Sequence, residues 1–151
     1  MKKAIIICGF PGVGKTTAAN NRKNLLDAES SAFSWVFDPE KFDERQRDPN
    51  FPENYIDYIE ENMGEYDIIF ASSHAAVREK LAARGIQYMI VAPRKELKNE
   101  YLIRYLKRGS DIDFIELLNE KWDEFLTGIE NDGAPVIWLD AYTVIADVVG
   151  Y

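Results

Sequence analysis

Gly9, Gly14, Lys15 and Thr16 stand in the spacing Gly-x4-Gly-Lys-Thr, within the stretch GFPGVGKTT that adds Pro11, Gly12, Val13 and Thr17. These residue types in this order can hold a polyphosphate. Glycines let the backbone wrap closely enough for its N–H groups to point at phosphate oxygens. Lys15 can reach the β/γ-phosphates, and the Thr16 hydroxyl suits Mg²⁺. A helix starting at the loop adds its positive end. The expectation is that Gly9, Pro11, Gly12, Val13, Gly14, Lys15, Thr16 and Thr17 bind ATP, with Thr16 on the metal and Lys15 acting on the transferred phosphoryl group.

Further along the chain, Leu97, Tyr101, Arg104 and Arg108 fall on one helical stripe, so a face that starts apolar ends in two guanidiniums four residues apart. Two fixed charges at that spacing can steady a phosphoryl group in transfer, with Gly109 as a hinge, and residues 103–112 read as a short lid. Asp27 ends a weak apolar run, where ligands of open α/β sheets gather. Ser72 and Ser73 end another and can hydrogen-bond an acceptor. His74 begins the next helix as a cap or packing residue. Trp35, Phe37 and Phe42 could stack a base, and Arg45 and Arg47 are further cations in the same segment. Other nucleotide chemistries lack their residues. No Asn-Lys-x-Asp tetrapeptide reads guanine, and the run 67–72 ends in Ser72-Ser73-His74 with no carboxylate for metal or water. Asp67 stands at the wrong end of that run.

The elements that must position these groups are legible as alternating patterns. Continuous apolar runs at 4–8, 67–72, 87–92 and 135–140, with a weaker one at 25–28, predict strands buried on both faces. Between them Tyr55, Ile56, Ile59 and Met63 keep helical spacing. Val77 and Leu81 mark a helix capped by Ser73 and stopped by Gly85, and Leu97, Tyr101 and Tyr105 mark another. Phe114, Leu118, Trp122, Phe125 and Ile129 form the clearest stripe. Strand–helix alternation means a parallel sheet of order 2-3-1-4-5 covered on both sides. The irregular stretch 29–54, punctuated by three prolines, belongs to an expected acceptor-binding segment at 29–63. The chain is expected to be one domain over residues 1–151.

With its proline, GFPGVGKTT resembles the glycine loop of small P-loop nucleoside and nucleotide kinases of the adenylate-kinase-like group, and RYLKRG resembles their arginine-bearing lid. SSHAAVREKL, EYLIRYLKRG and the helix around Trp122 are similar to small kinases of phages and Gram-positive bacteria. The resemblance implies a three-layer α/β P-loop NTPase fold, nucleotide-kinase-like, with five parallel strands. It implies transfer of the γ-phosphoryl group of ATP, with Mg²⁺, to a small acceptor, a nucleoside or nucleoside monophosphate first. By the same resemblance Asp27 is a general base where the acceptor is a hydroxyl, Arg78 binds an acceptor phosphate, and Asp140-Ala141-Tyr142 lies where adenine is held.

Composition narrows the partners. A net charge of -8 argues against tracking a polynucleotide, and a single cysteine, Cys8 inside an apolar run, permits no internal disulfide. No apolar run approaches the roughly 18 residues of a membrane span. A cytoplasmic enzyme is the expectation. Two alternatives stay open: a kinase of a hydroxyl on a sugar, an antibiotic or a nucleic-acid end, and a non-catalytic ATP-binding switch.

Overall fold

The computed structural model describes residues 3–20, 22–30, 33, 35–37 and 45–150. Five strands form one sheet: β1 (Ile5–Gly9), β2 (Leu25–Asp27), β5 (Ile68–Ser72), β6 (Tyr88–Pro93) and β7 (Val136–Leu139), ordered β2-β5-β1-β6-β7. Every pairing is parallel. Counting only these five, the order is the 2-3-1-4-5 expected from the sequence. Two further strands, β3 (Trp35–Phe37) and β4 (Arg45–Arg47), pair antiparallel inside the predicted acceptor segment. Only the backbone of Trp35, Phe37, Arg45 and Arg47 is described, and Phe42 lies outside the described residues.

The continuous β-branched runs form the central strands because both their faces are covered. Ile6, Ile7 and Cys8 of β1, and Ile69, Phe70 and Ala71 of β5, are buried. The helices are α1 (Lys15–Ala19), α2 (Glu53–Asn62), α3 (Ala75–Ala83), α4 (Lys98–Lys107), α5 (Ile112–Glu130) and α6 (Ile145–Val149). A short 3₁₀ turn, Lys95–Leu97, leads into α4. The step from β1 to β2 runs towards one edge of the sheet, and the later crossovers run the other way. Right-handed crossovers therefore put α1 on one face and α2, α3 and the α4–α5 pair on the other. The short α6 packs beside α1.

The register fixes what stands at the C-terminal edge. Gly9 is level with Ser72 on one side and Val91 on the other, and Asp27 is level with Phe70. The chain leaves β1 for the glycine loop where the crossovers change direction, which is where ligands of open parallel sheets sit. The α3 cap is a correction. His74, not Ser73, caps the helix, with its Nδ1 accepting the Ala76 N–H at 3.4 Å. Ser73 is buried, and its carbonyl accepts from Arg78 instead. No described helix is long and apolar enough to cross a membrane.

Candidate functional site

The loop from Phe10 to Gly14 is held from behind by aromatic side chains. The Phe10 N–H donates to Val91 O at 3.0 Å, and its ring meets Trp122 edge-on at 5.3 Å. Trp122 is in turn fixed by its Nε1–H on Lys95 O at 2.9 Å. Tyr101 and Tyr105, one helical turn apart on α4, lie directly under Gly12. A Cβ at Gly12 would sit 3.0 Å from Tyr105 Cε1 and 3.1 Å from Tyr101 Cδ2, and φ there is +89°. Only glycine satisfies both constraints. At Gly9 the constraint is Lys15, whose Cδ would stand 2.8 Å from an added Cβ as the side chain folds back over the strand end.

The loop is polarised by what binds it. Six consecutive carbonyls, Gly9 to Gly14, each accept a hydrogen bond. Lys15 Nζ donates to Gly9 at 3.0 Å, and the Val13 N–H to Phe10 at 3.2 Å. The Tyr105 hydroxyl donates to Pro11 at 2.7 Å, and Arg104 to Gly12 at 3.2 Å. The Ile145 N–H donates to Val13 at 2.8 Å, and the Ala18 N–H to Gly14 at 2.9 Å. Ala18 makes the first helical bond, so the amides just before it have no acceptor in the helix. Among the described residues the N–H groups of Gly12, Gly14, Lys15, Thr16 and Thr17 have no acceptor. Lone pairs are neutralised on one side and donors are left on the other, which suits an anion.

Lys15 stands half-buried at the edge of this array. Burial pushes its pKa down, Asp27 and Glu29 counter that, and the Arg108 guanidinium adds to the lowering. The Thr16 hydroxyl donates to Asp27 Oδ2 at 2.8 Å, so the two residues singled out on separate elements meet. Asp27 Oδ1 has no partner among the described residues. Tyr55, fully buried, ties the two strand ends beside them: its hydroxyl donates to Ala28 O at 2.5 Å and accepts the Ser72 N–H at 3.1 Å. Ser72 Oγ accepts the His74 N–H at 3.1 Å, so Ser72 stands at the rim while Ser73 is enclosed.

The two predicted lid arginines part company. Arg104 lies 4.2 Å over the Tyr101 ring and reaches Gly12 O and Ala141 O, bridging the back of the loop to the turn after β7. Arg108 is exposed, sits 5.0 Å over the Tyr105 ring with its Nε on Ser110 Oγ at 3.0 Å, and acts electrostatically on Lys15. The predicted lid span is the last turns of α4 and the turn Arg108–Asp111, where Gly109 takes φ +75°.

Arg78 has a different role from the one the resemblance implies. Its side chain is 8% exposed and is spent on a buried ion pair with Asp132 at 2.5 Å, with Nε donating to Ser73 O at 2.7 Å. The Tyr88 hydroxyl donates to the other Asp132 oxygen at 2.6 Å. Burial pushes the Asp132 carboxyl up, but Tyr88 and Arg78 outweigh it and the net shift is downward. Nearby Cys8 is raised to about 12 by burial, so it is a closed, inert thiol.

Beyond β7, Asp140 Oδ1 accepts the Tyr142 N–H at 2.9 Å and the Thr143 hydroxyl at 3.0 Å, and the Tyr142 ring is 94% exposed. A groove of about 770 Å³ lies at the opposite edge of the sheet, between Lys3, Ile5, Met63 and Met89, far from these groups. Helical spacing marks Tyr55, Tyr101 and Tyr105 in the sequence as packing residues only, and no local pattern points to Glu29 or to the start of α6. No protein-family model matches the chain, and no curated protein matches it either.

Proposed function

We propose that this chain is an ATP-dependent phosphotransferase of the P-loop kinase type, acting on a small acceptor at the ends of β2 and β5. The observation that carries the reading is the polarised loop: the Pro11, Gly12 and Val13 carbonyls are bound by distant elements, five loop amides have no acceptor among the described residues, and a half-buried ammonium stands beside them. A triphosphate supplies the acceptor oxygens those donors lack. Lys15 is held against burial by Asp27 and Glu29, and would exchange the Gly9 carbonyl for phosphate oxygens. Arg108, stacked on Tyr105 beside the loop, is the guanidinium placed to follow the transferring group. Arg104 braces the loop from behind.

The loop motif implies Mg²⁺, and the donors fit it in part. Thr16 Oγ1 and Asp27 Oδ2 are hard oxygen donors already in contact. No cluster of three His, Cys, Asp or Glu residues exists among the described residues, so phosphates and water would complete the shell. When bound, the ion would neutralise charge on the β- and γ-phosphates. Thr16 would hold it, and Asp27 would fix the Thr16 hydroxyl. Excluding water falls to the Arg108–Asp111 turn, because a site left open hydrolyses ATP.

Calorimetric titration with ATP and Mg²⁺, on wild type and on Lys15→Met, tests the reading. Loss of one charge-assisted contact worth about 1.5–3 kcal/mol should weaken binding roughly 10- to 150-fold. Wild-type protein that takes up no ATP at millimolar concentration would overturn the proposal.

A further inference from the structure

Resting on the phosphotransferase reading, we infer that Tyr55 is a positioning residue for the metal ion: its hydroxyl takes the place of one rung in the β2–β5 ladder and so holds Asp27 against Thr16. The first ground is the hydrogen-bond pattern at the end of that ladder. The Ala28 N–H donates to Phe70 O at 2.9 Å. In a parallel pair the bonds are evenly spaced, so the next rung would run from the Ser72 N–H to the Ala28 carbonyl. The Tyr55 hydroxyl stands there instead, accepting from Ser72 at 3.1 Å and donating to Ala28 O. Two groups that would meet at about 2.9 Å are held one hydroxyl apart.

The second ground is how little else holds the strand. β2 stands at one end of the sheet order, is three residues long, and pairs with β5 alone among the described strands. Asp27 is its last residue, and Asp27 Oδ2 accepts the Thr16 hydroxyl at 2.8 Å. Ala28 is fixed through both backbone groups, its N–H on Phe70 and its carbonyl on Tyr55. The carboxylate one residue earlier is placed by that fixing.

The third ground is the chemistry of Tyr55 itself. Its ring is fully buried, with centroids 5.5 Å from Phe33 and 6.1 Å from Phe51, and a phenylalanine would make the same ring contacts. The hydroxyl is what distinguishes the two residues, and it donates and accepts on strand-end backbone. Burial pushes its pKa well up, and the Ser72 N–H counters that only in part, so the group stays a neutral donor and acceptor.

The consequence is specific to the metal. Without the hydroxyl, the Ala28 carbonyl and the Ser72 N–H either close on each other as an ordinary rung or lose their partner. In both cases the end of β2 shifts relative to Thr16. The glycine loop is held by other groups, Tyr105, Arg104 and the Ile145 amide, and the Tyr55 hydroxyl bonds none of them. Phosphate binding by the loop should therefore survive while the added contribution of Mg²⁺ falls.

The test is calorimetric titration of ATP into wild type and Tyr55→Phe, once with Mg²⁺ and once with EDTA in its place. The gain in ATP affinity from Mg²⁺ should be about 3- to 10-fold smaller in Tyr55→Phe, the worth of one hydrogen bond, with ATP affinity in EDTA within about 2-fold of wild type. Asp27→Asn should lose that gain too, and adding Tyr55→Phe to it should cost under about 2-fold more. Equal loss with and without Mg²⁺, an unchanged Mg²⁺ gain, or losses that multiply in the double variant would each overturn the inference. A second arm needs no variant. A hydroxyl that stabilises the metal site is stabilised by the metal in return, so amide hydrogen exchange at Ser72, read by NMR on wild type, should slow about 3- to 10-fold from ATP in EDTA to ATP with Mg²⁺. Unchanged exchange at Ser72 overturns the inference as well. Wild type that binds no ATP in either medium would sink the parent reading instead, and the same calorimetry separates the two failures.

Discussion

Replacing Asp132 by asparagine keeps the shape and one acceptor oxygen but removes the charge that faces Arg78. The two side chains are 8% and 9% exposed, so water can solvate the abandoned guanidinium only poorly. Breaking a buried pair from one side costs about 3–5 kcal/mol, and the retained amide oxygen puts Asp132→Asn near the lower end, about 3 kcal/mol. With a urea dependence of about 2 kcal/mol per molar, the midpoint should fall by about 1.5 M. Urea titration followed by far-UV circular dichroism and tryptophan emission reads this directly. A fall under about 0.3 M would mean that water screens the pair, and the argument from burial would be wrong. The double replacement Arg78→Met with Asp132→Leu supplies the second arm. A packed apolar pair should recover most of the loss. On the proposed phosphotransferase reading it should also keep activity, because Arg78 is spent inside the fold. A double variant that is stable yet inactive would return Arg78 to the acceptor site.

Two further outcomes follow from the same contacts. Gly12→Ala forces a side chain into the left-handed region and into the Tyr101 and Tyr105 rings, and should cost about 1–3 kcal/mol in a thermal melt and weaken the proposed ATP binding; an unchanged melt would mean that α4 does not back the loop. The Asp132 carboxyl titrates below its ordinary 3.8 in the folded protein, so its stabilisation is fully present above that value and is lost as pH falls through the depressed one. Wild type should therefore lose more stability than Asp132→Asn between about pH 4 and pH 2, measured as urea midpoints across that range, and parallel curves would refute the assignment.

Local pattern carried the sheet because its central strands are buried on both faces, and continuous runs such as IIIC and IIFA have few other uses in a chain this size. The helical stripes were legible for the same reason: Tyr55, Ile56 and Ile59 recur at the period of the face they bury. What failed to show locally was partnership. Ser73 looks like the natural cap of α3, but its carbonyl is claimed by Arg78, and the adjacent His74 takes over the cap. Arg78 looks like a free cation near a rim until Asp132 arrives from 54 residues away. The helix expected to start at the glycine loop is short, for α1 stops at Ala19 with Asn20 extended.

The glycine loop divides along the same line. Its motif specifies the residues that permit the fold: glycines where Tyr101, Tyr105 and Lys15 crowd the backbone, and a lysine long enough to fold back on Gly9. Those nine residues orient only the Gly9 and Phe10 carbonyls, through Lys15 Nζ and the Val13 N–H, and leave the direction of the next three peptide groups open. That direction comes from the Tyr105 hydroxyl, the Arg104 guanidinium and the Ile145 amide, each more than 90 residues downstream, which capture the Pro11, Gly12 and Val13 carbonyls in turn. The N–H of a trans peptide points away from its carbonyl, so capture of the Pro11 and Val13 carbonyls turns the Gly12 and Gly14 N–H groups to the other side, whereas the Val13 N–H, in one peptide with the Gly12 carbonyl, is taken by Phe10 O. The motif therefore supplies the flexibility, and α4 with the start of α6 supplies the polarity that makes the loop suited to an anion.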